Sequence, residues 1–149
     1  MTKYSLNTMP SKSKNVDKKT LDHILKDPFG DLLNTKRSVP SEGESIVELT
    51  ITKEHVNCHG VTHGGVIFSC CDMALALASN SRGQIEVATQ VNISFLKATG
   101  PGTKIKAHCR EIHEGKKLGL FEIIVTDFSG EVISRAQGQV YKKKQSFNQ

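Results

Sequence analysis

The 149-residue chain contains no C-x-x-C pair and no spaced cysteine framework, although it has four cysteines, Cys58, Cys70, Cys71 and Cys109. A disulfide scaffold or a paired-thiol redox motif is thereby excluded, and free thiols in a cytoplasmic protein are the expectation. No apolar run of roughly 7–15 residues follows the N-terminal lysines, so no secretory leader is read there. The longest apolar stretch, residues 66–78, falls short of the about 20 residues that cross a bilayer, and Asp72 interrupts it. No internal repeat is found. These absences predict a protein with no membrane partner.

A basic body is missing too, despite a net charge of +5 and a pI near 9.1. Of the 20 basic side chains, eight lie in the two ends (Lys3, Lys12, Lys14, Lys18, Lys19, Lys142, Lys143 and Lys144), where the only acid is Asp17. Residues 20–141 keep the other 12 against 14 acids, a net of −2. The surplus belongs to solvated ends, and no nucleic-acid partner is expected. Residues 1–19 read as a disordered basic tail, 20–142 as a single domain and 143–149 as a polar C-terminal tail.

Between these ends the patterning is regular. "TLDHILKDPFGDLLN" sets Leu21, Ile24 and Leu25 at helical spacing and then meets Pro28, which predicts a short helix with a second turn through Leu32 and Leu33. "SIVELTIT" alternates as a strand with Val47, Leu49 and Ile51 on one face. The segment from His63 to Asn80, apolar on every side, predicts a buried helix about 27 Å long with Thr62 as N-cap. Period-two alternation then takes over, with Val87, Thr89, Val91, Ile93 and Phe95 on one face of the first of four strands. Short turns at 100–102, 114–117 and 129–130 predict an antiparallel meander. A helix apolar all round needs cover on most sides. The fold class expected is α+β, one long central helix wrapped by a curved antiparallel sheet.

Asp72 stands alone in that apolar helix. An ionised carboxylate left in an apolar interior costs several kcal/mol, so either Asp72 is not truly buried or a function depends on it. The spaced set Asn57, His63, Gly64, Gly65, Phe68, Asp72 and Ala74, "N-x-x-x-x-x-H-G-G-x-x-F-x-x-x-D-x-A", resembles the signature of hotdog-fold acyl-CoA thioesterases, in their PaaI-like group. The order of elements is similar over residues 38–142. The resemblance implies hydrolysis of an acyl-CoA thioester with no metal and no cofactor. It implies that the Gly64 N–H polarises the carbonyl, that Asp72 is nucleophile or general base, and that Asn57 and His63 help position them. Many members carry a hydroxyl on the strand after the helix; Thr89 is the match, with Ala88 in the adjacent alignment. Gly65 and Phe68 are expected to line the substrate, and Arg82, Lys97 and Lys116 to meet the phosphates of coenzyme A.

The residues support these roles. A helix start offers unpaired N–H groups and partial positive charge to a developing oxyanion, and a glycine there lets substrate approach the backbone. Cys58, His59 and His63 lack a fourth ligand for zinc. Cys70 or Cys71 as a thiol nucleophile, and a non-catalytic hotdog protein that binds acyl-CoA, are the competing readings. Eight residues separate Gly64 from Asp72, which on a straight helix is about 12 Å along and roughly 80° around the axis. One carbonyl cannot meet both within a chain. A homodimer with shared sites is expected, and a homotetramer as a pair of such dimers.

Overall fold

Asp17 caps the first helix. Its carboxylate accepts the Thr20 N–H at 3.0 Å and satisfies one of the free donors of α1 (Lys18–Ile24). The computed structural model describes residues 14–147, so this cap lies within the stretch expected as a tail, whose residues 1–13 fall outside the described chain. Asp27 repeats the device for α2 (Pro28–Leu32), accepting the Gly30 N–H at 3.0 Å with Pro28 at the first helical position. β1 (Lys36–Ser41) has only Val39 as a large apolar residue and shows no readable alternation; it pairs with β2 (Glu44–Thr50).

A single turn of 3-10 helix at Lys53–His55 leads to α3 (Gly64–Asn80), which is followed by β3 (Gln84–Phe95), β4 (Lys104–Glu114), β5 (Leu118–Asp127) and β6 (Val132–Ser146). The strands form one antiparallel sheet in the order β1-β2-β4-β5-β6-β3. The expected four-strand meander is therefore corrected: β4, β5 and β6 are consecutive neighbours, but β3 pairs with β6 across the sheet. The cause is the segment 96–103, which is a crossover and not a tight turn. It is tied to the end of β2 by Ile51 N–H to Thr103 O and Gly102 N–H to Ile51 O, both at 2.8 Å. Those bonds deliver β4 to β2 and leave β3 at the far edge.

α3 lies in the concavity of the curved sheet. Ile67, Cys70, Cys71, Ala74, Leu75 and Ala78 meet Val47 of β2 and Ile51 just after it, Ile105 and Cys109 of β4, Phe121, Ile123 and Val125 of β5, and Ile133 and Val140 of β6. Close docking on β6 depends on Gly138, where a Cβ would stand 2.5 Å from a Leu75 methyl. Cover is incomplete, however. Gly65, Phe68, Asp72 and Ala76 form an exposed stripe at helical spacing, so α3 is not buried on every side.

A bulge corrects the expected face of β3. Ala88 pairs with Val140 and Gln90 with Gln139, so Thr89 is the extra residue and parity reverses across it. Val91 and Ile93 pack on the core while Val87, expected on their face, points outward at 39% exposure. β6 continues to Ser146, so Lys142 to Lys144 belong to a strand and the Lys142 side chain is buried. Among the described residues no helix is long and apolar enough to cross a membrane.

Candidate active site

The start of α3 is held by backbone bonds on both sides. The His63 N–H donates to His55 O and the Thr62 N–H to Thr99 O, each at 2.8 Å, and the Thr62 and Thr99 hydroxyls meet at 2.7 Å. Thr62 is thus buried between the loops and is not the N-cap. His63 is: its Nδ1 accepts the Gly65 N–H at 2.9 Å, which leaves the ring proton of the neutral imidazole on Nε2. Gly64, the first residue of the helix, has an N–H with no hydrogen-bond partner among the described residues. The ring of Phe95 lies across it, 3.3 Å from where a Cβ would be. Beside them opens a cleft of about 280 Å³ lined by Val61, Gly64, Ile67, Phe95, Leu96 and Lys97. A carbonyl oxygen entering this cleft meets an unpaired donor at the positive end of a 17-residue helix.

Asp72 lies two turns further along, on the exposed stripe, with Phe68 one turn before it. Among the described residues its carboxylate has no hydrogen bond and no ion pair. Desolvation against the apolar helix raises its pKa above the ordinary aspartate value, and the negative charge of Asp27 at the start of α2 adds to the rise. The lone carboxylate of the apolar segment is therefore not a core group. It faces out of the single chain, unpaired, with a proton affinity above that of a free side chain.

The other expected site residues divide by position. Lys97 borders the cleft and is ion-paired with Glu131. Asn57 shapes the loop before the helix, where its Oδ1 accepts the His59 N–H at 2.9 Å and its backbone closes on Val61 and Gly60; it does not line the cleft. Thr89 donates its hydroxyl to Gln139 O at 3.2 Å from the bulge of β3. Arg82 and Lys116 are at the opposite end of α3 within one chain, and Arg82 is engaged by Glu111 at 2.6 Å and Glu42 at 3.6 Å. Burial pushes the Cys70 and Cys71 thiols up to about 12, which leaves neither as a thiolate nucleophile near neutral pH. Among the described residues no three His, Cys, Asp or Glu side chains stand close enough to share a metal ion.

Two contributors escape sequence reading. Phe95 is legible as a strand residue, but nothing in the pattern places its ring on Gly64. Asp27 before Pro28 is legible as a helix cap, yet only the folded chain sets its charge near Asp72.

One helix wrapped by a six-stranded antiparallel sheet, with the helix start opening on a cleft, is the hotdog arrangement of a thioester hydrolase. The model of the thioesterase superfamily matches residues 59–134, from the loop before α3 into β6, and the chain belongs to that family, in its PaaI-like group. It is 34% identical over 148 residues to a putative esterase of Archaeoglobus fulgidus, covering 99% of this chain and 95% of that one. With the acyl-coenzyme A thioesterase PaaI of Escherichia coli it shares 32% over 101 residues, 68% of this chain and 72% of the relative. The solved structure of the E. coli PaaI protein from the phenylacetic acid degradation operon aligns with a TM-score of 0.79 at 28% identity, covering 82% of this chain and 88% of that one. The structure of smu.793 from Streptococcus mutans bound to acetyl CoA aligns at 0.72 and 26% identity, covering 76% and 91%.

Proposed function

We propose that this chain is an acyl-CoA thioesterase, converting an acyl-CoA and water to the free acid and coenzyme A in a site built by two copies of the chain. The free Gly64 N–H at the mouth of the cleft carries this reading. A thioester oxygen bonded there gains negative charge as the carbonyl carbon is attacked, and the donor and helix end stabilise that charge without reorganising.

Asp72 supplies the attack by one of two routes. As a base it takes a proton from water while the water oxygen bonds to the carbonyl carbon. The C–S bond then breaks, and the thiolate leaves to be protonated as coenzyme A. As a nucleophile its carboxylate expels the thiolate and forms a mixed anhydride, which water opens to the acid and a regenerated Asp72. Both routes consume one water per thioester. The raised proton affinity of Asp72 suits either, provided that it is ionised when it acts. His63 holds the first turn in place through Gly65. Asn57 shapes the preceding loop, and Phe68 and Gly65 offer apolar and open surface along the stripe that leads to Asp72.

The spacing on α3 supports a shared site, Gly64 of one chain acting with Asp72 of the partner subunit, because about 12 Å cannot be bridged by one reacting carbonyl. β3 supports the means: it is a 12-residue strand at the edge of the sheet, with one side unpaired among the described residues. Val87, Tyr141 and Leu118, exposed in one cross-strand row on the outer face, support a further contact that would join two dimers into a tetramer. Binding of acetyl CoA by the Streptococcus mutans relative supports coenzyme A as the leaving group. Of the three expected phosphate contacts only Lys97 stands at the cleft of its own chain. Arg82 and Lys116 could serve only through the dimer.

Short, medium, long and aromatic acyl-CoAs, assayed by the free thiol released, test the reading. Turnover of at least one class is expected, with Asp72→Asn reducing it at least about a hundredfold in a protein that melts no lower than wild type. Absence of thiol release across the panel overturns the activity, and near-normal turnover in folded Asp72→Asn overturns the role of Asp72.

A further inference from the structure

At the opposite end of α3 from the cleft, four charged side chains act on Glu86 of β3 and a fifth, Glu42, joins them through Arg82. The Glu86 side chain is 1% exposed, and its Oε2 has no hydrogen-bond partner among the described residues. Lys142 of β6 stands 3.9 Å from the other oxygen and is shared with Glu114 of β4 at 3.5 Å. Glu111 of β4 binds Arg82, in the turn after α3, and Arg82 reaches Glu42 in the turn between β1 and β2. Glu111 Oε1 and Arg82 Nη1 are also buried without partners. Four carboxylates thus share two cations. An ionised Glu86 here would be a buried charge with an incomplete partner, the arrangement that destabilises most. A neutral Glu86 removes that charge and adds an O–H donor to a cluster in which the buried Glu111 Oε1 has none among the described residues.

Glu86 also lies at a joint. Asn80, the last residue of α3, donates its side-chain amide to Glu86 O and accepts the Glu86 N–H, both at 3.0 Å. The backbone of Glu86 thereby fastens the end of the central helix to the beginning of the edge strand.

We propose that Glu86 is a proton-operated latch, seating the start of β3 on the end of α3 when neutral and loosening that joint when ionised. Burial is the main cause that raises its carboxyl, to about 7; Lys142 opposes the rise, Glu111 adds to it, Arg82 opposes it and Glu114 adds to it. Because the folded value is above the ordinary one, the stabilising contribution is complete below the unfolded pKa, near 4.5, and is lost as pH rises through about 7. Stability at this joint therefore falls from about pH 4.5 to about pH 7 and is level at higher pH.

Carbon-13 NMR titration of the carboxyls, with amide hydrogen exchange over residues 84–88 corrected for the intrinsic pH dependence, tests this. The Glu86 carboxyl should titrate near neutrality, and protection over 84–88 should fall from about pH 5 to about pH 7.5 in wild type, levelling above that, but stay level throughout in Glu86→Gln. A midpoint in the ordinary glutamate range, or an unchanged pH dependence in the variant, overturns the latch. If Glu86→Gln does not fold, the wild-type titration decides alone. Lys142→Met should then move the midpoint upward, and an unmoved midpoint overturns the role given to the cluster. Hydrolysis enters none of these readouts, so they stand or fall apart from the proposed activity.

Discussion

At the scale of single residues, the chemistry turns on how strongly Asp72 holds its proton. Asp27 is a second, independent handle on that property. It caps α2 through Gly30 and its charge raises the pKa of Asp72. Asn caps a helix start about as well as Asp, so Asp27→Asn keeps α2 and removes the charge. The pKa of Asp72 should fall, and if turnover needs ionised Asp72, the acidic limb of the pH–rate profile should move to lower pH. Melting at neutral pH should change little. An acidic limb that stays in place would mean that another group sets it. The carboxylate itself was legible in the sequence because an isolated Asp in an apolar run demands explanation. Its exposure was not, since a stripe of Gly65, Phe68, Asp72 and Ala76 is too mixed to distinguish from a covered face.

Elements were legible where one residue's environment repeats along the chain, and less so where partners are remote. α3 runs from Gly64 to Asn80, close to the span expected, because its apolar run continues without a turn signal until Ser81-Arg82-Gly83. β2 and β4 to β6 likewise follow their alternation. Sheet order was not legible, because turn residues between β3 and β4 do not reveal that segment 96–103 is captured by Ile51. Nor was the bulge: one extra residue at Thr89 leaves the local pattern plausible while reversing which side chains face α3. Contact between α3 and β6 is the point at which element packing can be tested. A Cβ at Gly138 meets Leu75 at 2.5 Å, so Gly138→Ala should destabilise by about 1–3 kcal/mol through overpacking. Leu75→Ala alone should also destabilise, by about 2–5 kcal/mol, through the cavity it leaves. Together the two changes should cost less than their sum, since the new methyl enters the vacated space. Additive losses in chemical denaturation would show that Gly138 is not what sets the approach of α3.

For the whole molecule, the decisive question is whether one chain can complete a site. Gly64 and Asp72 are fixed on one rigid helix, and β3 leaves a long edge unpaired among the described residues, so the expected unit is a two-fold dimer with two sites. Co-expression separates this from a self-sufficient chain. One copy carries Asp72→Asn; the other carries Gly64→Pro, which deletes the polarising N–H. Proline is tolerated there for two reasons: Gly64 is the first helical residue, and His63 already has the extended ψ of 131° that precedes proline well. The Phe95 ring, 3.3 Å from the added Cβ, must shift by about a few tenths of an ångström, as a close van der Waals contact requires. Each parent should be folded, dimeric and inactive. Random pairing makes about half of the dimers mixed, and each mixed dimer has one site with both groups intact, so about a quarter of wild-type turnover should return. A confirmed mixture that stays inactive would mean that each site draws Gly64 and Asp72 from the same chain, which the rigid spacing of α3 allows only if the helix bends or the reacting carbonyl moves between them.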